Sequence, residues 1–162
     1  MVSNEGYITM QDGVRLFYRK VGTGQQVLLI PNGMYLFYDF KRFADSCTVI
    51  FYDVRNRGFS DTVSDSSKLT LGIQQDVGDL DAVRAHFQDN RIDLIAHSYI
   101  GFMVALYARK YPYHVNRMVQ IGPIQPDSSK EYPVHLTAAD SILVEVFSKL
   151  AQLKEEMRGE DP

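Results

Sequence analysis

Residues 92–101 read Ile92-Asp93-Leu94-Ile95-Ala96-His97-Ser98-Tyr99-Ile100-Gly101, and the reading of this stretch decides the fold. A short apolar run ends at the small residue Ala96, crosses a polar trio, and enters a segment with Ile100, Met103, Val104, Tyr107, Ala108 and Tyr111 at three- and four-residue spacings. That pattern predicts a strand feeding a largely buried helix through a very tight turn. A serine at the apex of such a turn, Ser98, has its hydroxyl pushed out above the sheet, and the backbone N–H of Tyr99 points from the helix start toward whatever bonds to that oxygen. A nucleophile and half of an oxyanion hole then sit together. The competing reading of a serine between a strand and a helix is a plain N-cap.

Upstream of this stretch the pattern is regular. Residues 7–10 and 14–18 are β-prone runs separated by Gln11-Asp12-Gly13, a strong hairpin signal. Val27-Leu28-Leu29-Ile30 and residues 48–52 are continuous apolar runs, as in strands covered on both faces. Residues 36–44, with Phe37, Phe40 and Phe43, predict a short helix. Thr70 is a candidate cap for a helix carrying Ile73, Val77, Leu80, Val83 and Phe87 on one side, with Asp76, Asp79, Asp81 and Arg84 on the others. Downstream, residues 117–121 predict a further strand. Alternating strands and helices between 27 and 121 give an α/β fold: a mostly parallel sheet with helices on both faces and an opening antiparallel hairpin. Beyond a polar loop at 125–133, residues 136–157 form an amphipathic pattern with Ile142, Leu143, Val146, Phe147, Leu150 and Leu153 on one side.

Four features in order carry a resemblance to the α/β-hydrolase family, and within it to the prolyl-aminopeptidase and small-ester hydrolase branch. They are the opening hairpin, the Asn32-Gly33 turn after the first central strand, the loop Asp53-Val54-Arg55-Asn56-Arg57-Gly58-Phe59-Ser60, similar to D-x-R-G-x-G-x-S, and the Ser98 turn, similar to G-x-S-x-G. The likeness implies the N-terminal portion of that fold, with residues 1–124 as its core and 125–162 as the start of a helical lid. It implies Ser98 as nucleophile and the backbone N–H groups of Tyr99 and Met34 as the oxyanion hole. A Pro31-Asn32-Gly33 loop with no duty beyond turning is the alternative at that site. Asp53, Arg55 and Arg57 are expected to form a hydrogen-bonded loop that positions strand ends, with Gly58 allowing the backbone to reverse. The serine motif departs from the family at its last place, where Ile100 stands and the glycine follows at 101, so crowding or a slightly opened turn is expected there.

A serine hydroxyl is a poor nucleophile without a base that takes its proton and an acid that orients the base. In family order the histidine comes late, and the resemblance places it past residue 162. Among the histidines present, His97 is expected to point away from Ser98, while His86 and His114 lie on the flank and at the far end of helices. His135 is the remaining candidate base and Asp127 the candidate acid, the latter also readable as a solvated loop residue. The function expected is hydrolysis of a small-molecule ester or amide through Ser98, in a chain left incomplete by the missing histidine. The alternative is a non-catalytic binding or self-associating module.

Composition narrows the remaining choices. At 162 residues the chain fits one domain with a sizeable core. A net charge of −3 gives no footprint for nucleic acid or anionic membranes. No apolar run spans a bilayer, and the first residues lack the basic and apolar segments of a secretion signal, so the cytoplasm is expected. The single Cys47 precludes an internal disulfide and reads as a small core residue. The four histidines lack metal-ligand spacing, and neither metal nor cofactor is expected. The strand near 117–121 is an open edge that the final amphipathic helix or a second copy of the chain could cover, and a homodimer or higher self-association is expected.

Overall fold

The computed structural model describes residues 3–124 and, beyond these, 148, 149 and 152. The chain divides after Ile124 into two compact units, Met1–Ile124 and Gln125–Pro162. The expected loop at 125–133 and most of the amphipathic helix at 136–157 lie outside the described residues, as do Asp127 and His135.

The first unit is built on a six-stranded sheet. Its strands are β1 (Ser3–Thr9), β2 (Arg15–Val21), β3 (Val27–Pro31), β4 (Thr48–Tyr52), β5 (Ile92–His97) and β6 (Val115–Ile121), in the spatial order β1-β2-β4-β3-β5-β6. β1 pairs antiparallel with β2, and β2 antiparallel with β4; the pairs β3 with β4, β3 with β5 and β5 with β6 are parallel. The opening hairpin runs longer than the apolar pattern predicts. Polar residues Ser3 to Glu5 pair with Val21 to Arg19, because the ladder bonds are backbone bonds and do not need apolar side chains.

Both faces of the sheet are covered, and β4 shows how. Its five residues are all buried, and successive side chains alternate between two apolar clusters: Val49 and Phe51 join Leu28, Ile30 and Ala44, whereas Ile50 and Tyr52 join Leu29, Leu80, Met103 and Tyr107. The first cluster is closed by α1 (Phe37–Phe40), a single α-turn flanked by 3-10 turns at Met34–Leu36 and Lys41–Asp45, rather than by a continuous helix. Phe37 contributes its ring edge-on to Phe51 at 5.1 Å. The second cluster is closed by α2 (Ile73–His86) and α3 (Tyr99–Lys110). Cys47 is buried in the first cluster, its Sγ 3.0 Å from the Phe43 carbonyl, and burial pushes its thiol pKa up.

α2 begins two residues later than the Thr70 cap predicts. The Thr70 hydroxyl turns back to the Ser67 carbonyl at 3.2 Å, in a 3-10 turn at Ser66–Leu69, and the helix starts from Gly72 at φ 52°. That positive φ suits glycine and little else. The burial of α2 also departs from expectation: Val77, Leu80 and Val83 face the core, but so does Asp79, at 4% exposure.

Candidate active site

The turn at 97–99 is as tight as the sequence predicts. Ser98 has φ 56° and ψ −127°, a backbone region that L side chains rarely adopt, and it separates β5 from α3 without an intervening loop. Such a conformation costs about 1–3 kcal/mol and persists only where neighbours fix it. Here the end of β6 does so: the Ser98 N–H donates to the Ile121 carbonyl at 3.0 Å, and the Ser98 carbonyl accepts from the Gly101 N–H at 2.9 Å and the Ile124 N–H at 3.3 Å. The Ser98 side chain caps no helix N–H, which removes the plain N-cap reading.

Ile100 does not crowd the turn. Its side chain is 4% exposed and lies in the core under α3. The close approach falls instead at Gly101, where an added Cβ would sit 2.9 Å from Cβ of Pro123. The glycine is needed one place later than in the family pattern because Pro123, just beyond β6, and not the turn itself, makes the tight contact.

Above Ser98 lies a cleft of about 780 Å³ lined by Asn32, Tyr35, Arg57, Asp76, His97 and Tyr99 among others. The Asn32-Gly33 turn reaches it from the end of β3. Asn32 stands at φ 49°, a conformation asparagine tolerates, and the Gly33 N–H donates to the Tyr52 carbonyl at 3.1 Å. A Cβ on Gly33 would lie 2.4 Å from the Ile30 carbonyl oxygen, so only glycine fits.

Met34 follows at once but lines a neighbouring cleft of about 530 Å³, which shares Asn32, Tyr35 and Arg57 with the first. Asp53 lines the same second cleft. Its carboxylate is 2% exposed and accepts from the Phe59 N–H at 3.0 Å; burial raises its pKa above the ordinary value, and backbone hydrogen bonding works against that rise. Asp53 therefore holds the Arg57-Gly58 loop from beneath. Gly58, at φ 50°, passes so close to it that a Cβ would overlap the carboxylate.

Arg55 lies in the hydrogen-bonded loop after β4, as expected, but its side chain reaches inward. It is buried and fixes α2 to the sheet, making a bidentate pair with Asp79, one arm of it at 2.9 Å, and a second pair with Asp12 of the hairpin turn.

Two residues of the cleft escape the sequence reading. Asp76, one turn before Asp79, accepts a hydrogen bond from the Tyr99 hydroxyl at 3.0 Å. Burial raises the Asp76 pKa, and burial with the adjacent carboxylate pushes the Tyr99 phenol up to about 12. The only signal for this pair was Asp76 in the first turn of a helix that packs against the one starting at Tyr99, which names no partner. His97 is the other. It lines the same cleft as Ser98, where its Nδ1 lies 2.8 Å from the Tyr35 hydroxyl. His114 is bound to Asp81 at 2.8 Å, and His86 packs on Tyr18 and Phe87. None of these three holds a hydrogen bond to Ser98. Among the described residues, no group of three or more His, Cys, Asp or Glu could hold a metal ion, and no helix is long and apolar enough to cross a membrane.

An open, mostly parallel sheet with a strained serine between strand and helix, facing a cleft at the strand ends, defines the scaffold class in which such serines are displayed for chemistry. The chain belongs to the alpha/beta hydrolase fold family, whose model matches residues 30–160. It is 29% identical over 127 residues to the AB hydrolase superfamily protein YclE of Bacillus subtilis (strain 168), covering 76% of this chain and 43% of that one. Among solved structures, it resembles a proline iminopeptidase-related protein from Thermus thermophilus (TM-score 0.69, 18% identity, 76% of this chain and 45% of that one). It also resembles an alpha/beta hydrolase from Novosphingobium aromaticivorans (TM-score 0.61, 27% identity, 73% of this chain and 43% of that one). The chain thus spans less than half the length of these relatives.

Proposed function

We propose that this chain carries the nucleophile of a serine hydrolase acting on small-molecule esters or amides. The observation that supports this most is the backbone of Ser98: a non-glycine residue held at φ 56° by three hydrogen bonds, above a cleft, with its side chain spared from capping. Strain of that kind is retained where it positions a group. In this reading the Ser98 Oγ attacks the substrate carbonyl carbon while its proton passes to a base. The carbonyl oxygen becomes an oxyanion facing the first N–H groups of α3, that of Tyr99 foremost. Collapse breaks the ester or amide bond, the leaving alcohol or amine takes up the proton, and water then releases the acyl group.

In this reading the Met34 N–H, just after the Asn32-Gly33 turn, is the second donor. The base has no occupant among His86, His97 and His114, so it comes from outside the described residues, where His135 and the candidate acid Asp127 also fall.

The test is covalent labelling. A fluorophosphonate should modify Ser98 in the wild-type chain and not in Ser98→Ala, and turnover of a small aryl ester should fall by at least about a thousandfold in that variant. Labelling without turnover identifies a nucleophile whose base is missing. A wild-type chain that resists the probe rejects the hydrolase reading in favour of a non-catalytic binding module.

A further inference from the structure

The second cleft, on the far side of the Asn32-Gly33 turn from Ser98, is not used by the chemistry above. It is lined by Tyr35, Phe37, Tyr38, Phe59 and Arg57, with Arg19 at its border. Three of these aromatics are unusually open: Tyr38 is 80% exposed, Phe59 62% and Tyr35 56%. Large apolar rings gathered around a concavity are surface that a ligand would bury.

The charges around it are unequal. Arg19 is neutralised by Glu5 at 2.7 Å and lies over the Phe37 ring at 4.8 Å. The Asp53 carboxylate is buried and already accepts a backbone donor. Arg57 is different: among the described residues it belongs to no ion pair. Its backbone is nevertheless fixed. The Arg57 N–H donates to the Val54 carbonyl at 3.2 Å, its carbonyl accepts from the Ser60 N–H at 3.0 Å, and Gly58 is pinned against Asp53. A guanidinium with no ion pair among the described residues, on an anchored turn, is suited to a carboxylate, whose two oxygens match its fork.

Arg57 lines both clefts, and each holds one carboxylate: Asp76 above Ser98 is only half-buried, whereas Asp53 in the second cleft is buried and its oxygen is taken up by the Phe59 N–H. An acidic group is therefore favoured in the second cleft, with the rest of the molecule reaching past Asn32 toward the serine. We infer that Arg57 is a specificity-determining residue, and that the substrate is an ester or amide bearing a free carboxylate beside an aromatic or bulky apolar group. This rests on the hydrolase reading for the word substrate; the carboxylate site itself does not.

The experiment compares 3-phenylpropionate with 3-phenylpropanamide, the same body without the charge, by titration into the full chain followed by backbone-amide NMR. The acid should bind roughly two- to fivefold more tightly than the amide, the range one exposed charge pair supplies, and the difference should shrink as salt is raised. Shifts should centre on Gly58, Phe59 and Gly33. Arg57→Met should bring the acid down to the affinity of the amide, while Arg57→Lys, which keeps the charge, should retain part of the preference. Equal affinity of acid and amide, a preference that survives in Arg57→Met, or shifts centred elsewhere would overturn the inference. Fluorophosphonate labelling of the wild-type chain reads the other question independently: labelling with no carboxylate preference sinks only the Arg57 site, and selective carboxylate binding without labelling upholds it while rejecting the hydrolase.

Discussion

Ile100 and Gly101 divide two jobs that a single glycine performs in the family pattern. Position 100 faces the core from the first turn of α3, at 4% exposure, while position 101 lies against Pro123. Replacing Ile100 by glycine would restore the usual motif and still weaken the protein, since it removes a buried branched side chain and adds backbone freedom at a helix start. The expected loss is about 2–5 kcal/mol. Gly101→Val attacks the other job, forcing Pro123 and the end of β6 away from Ser98, at an expected cost of about 1–3 kcal/mol. Urea unfolding followed by circular dichroism measures both, and an Ile100→Gly variant as stable as wild type would contradict this division. The displacement of the glycine was visible in the sequence; its harmlessness was not, because which face of the helix position 100 occupies depends on the angle at which α3 leaves the turn.

At the scale of elements, α2 shows what spacing can and cannot supply. The three- and four-residue repeat located its buried apolar positions Val77, Leu80 and Val83 correctly. It also assigned Asp79 to a solvent face, where a charged residue is found in nearly all helices of this kind. What overrides that rule is Arg55, 24 residues upstream, whose side chain is 3% exposed against 5% for Asp79. A pairing between a loop and a helix leaves no local trace in sequence. It does leave an energetic one: Asp79→Ala strands a buried guanidinium with only the half-buried Asp12 as partner and should destabilise the chain by about 3 kcal/mol. The double replacement Arg55→Met with Asp79→Leu removes both charges and should recover most of that loss, because an apolar pair of similar volume needs no desolvation. Additive losses in the double variant, read from the same urea midpoints, would show that the pair contributes through something other than mutual neutralisation. The Asp76–Tyr99 contact was hidden for the same reason, being set by how α2 and α3 cross.

Taken whole, the sheet presents two edges of different character among the described residues. β1 ends it on one side with Ser3, Asn4 and Glu5 along its length, polar groups that discourage pairing with another chain. β6 ends it on the other side, and there Val119 is 53% exposed, Ile121 39% and Ile124 51%, while Arg117, the one cation of the strand, is drawn to Asp93 at 2.9 Å. An edge with apolar side chains and a neutralised charge invites another strand. The sequence reading placed an open edge near residues 117–121, and β6 is the outermost strand on that side among the described residues. A second copy offers the simplest occupant, its β6 running antiparallel to the first across a two-fold axis so that each exposed Val119 is buried twice in one contact. The chain is therefore expected to sediment as a concentration-dependent mixture of monomer and dimer over the micromolar range. Val119→Lys, which places a charge on the open edge without touching the core, should shift that equilibrium toward monomer by roughly tenfold or more, the effect of about 1.4 kcal/mol lost at the interface. A wild-type boundary that stays monomeric at every concentration, or a dimer that Val119→Lys leaves intact, would remove β6 as the contact, because no arrangement of two such edges can bury Val119 and tolerate a lysine in its place.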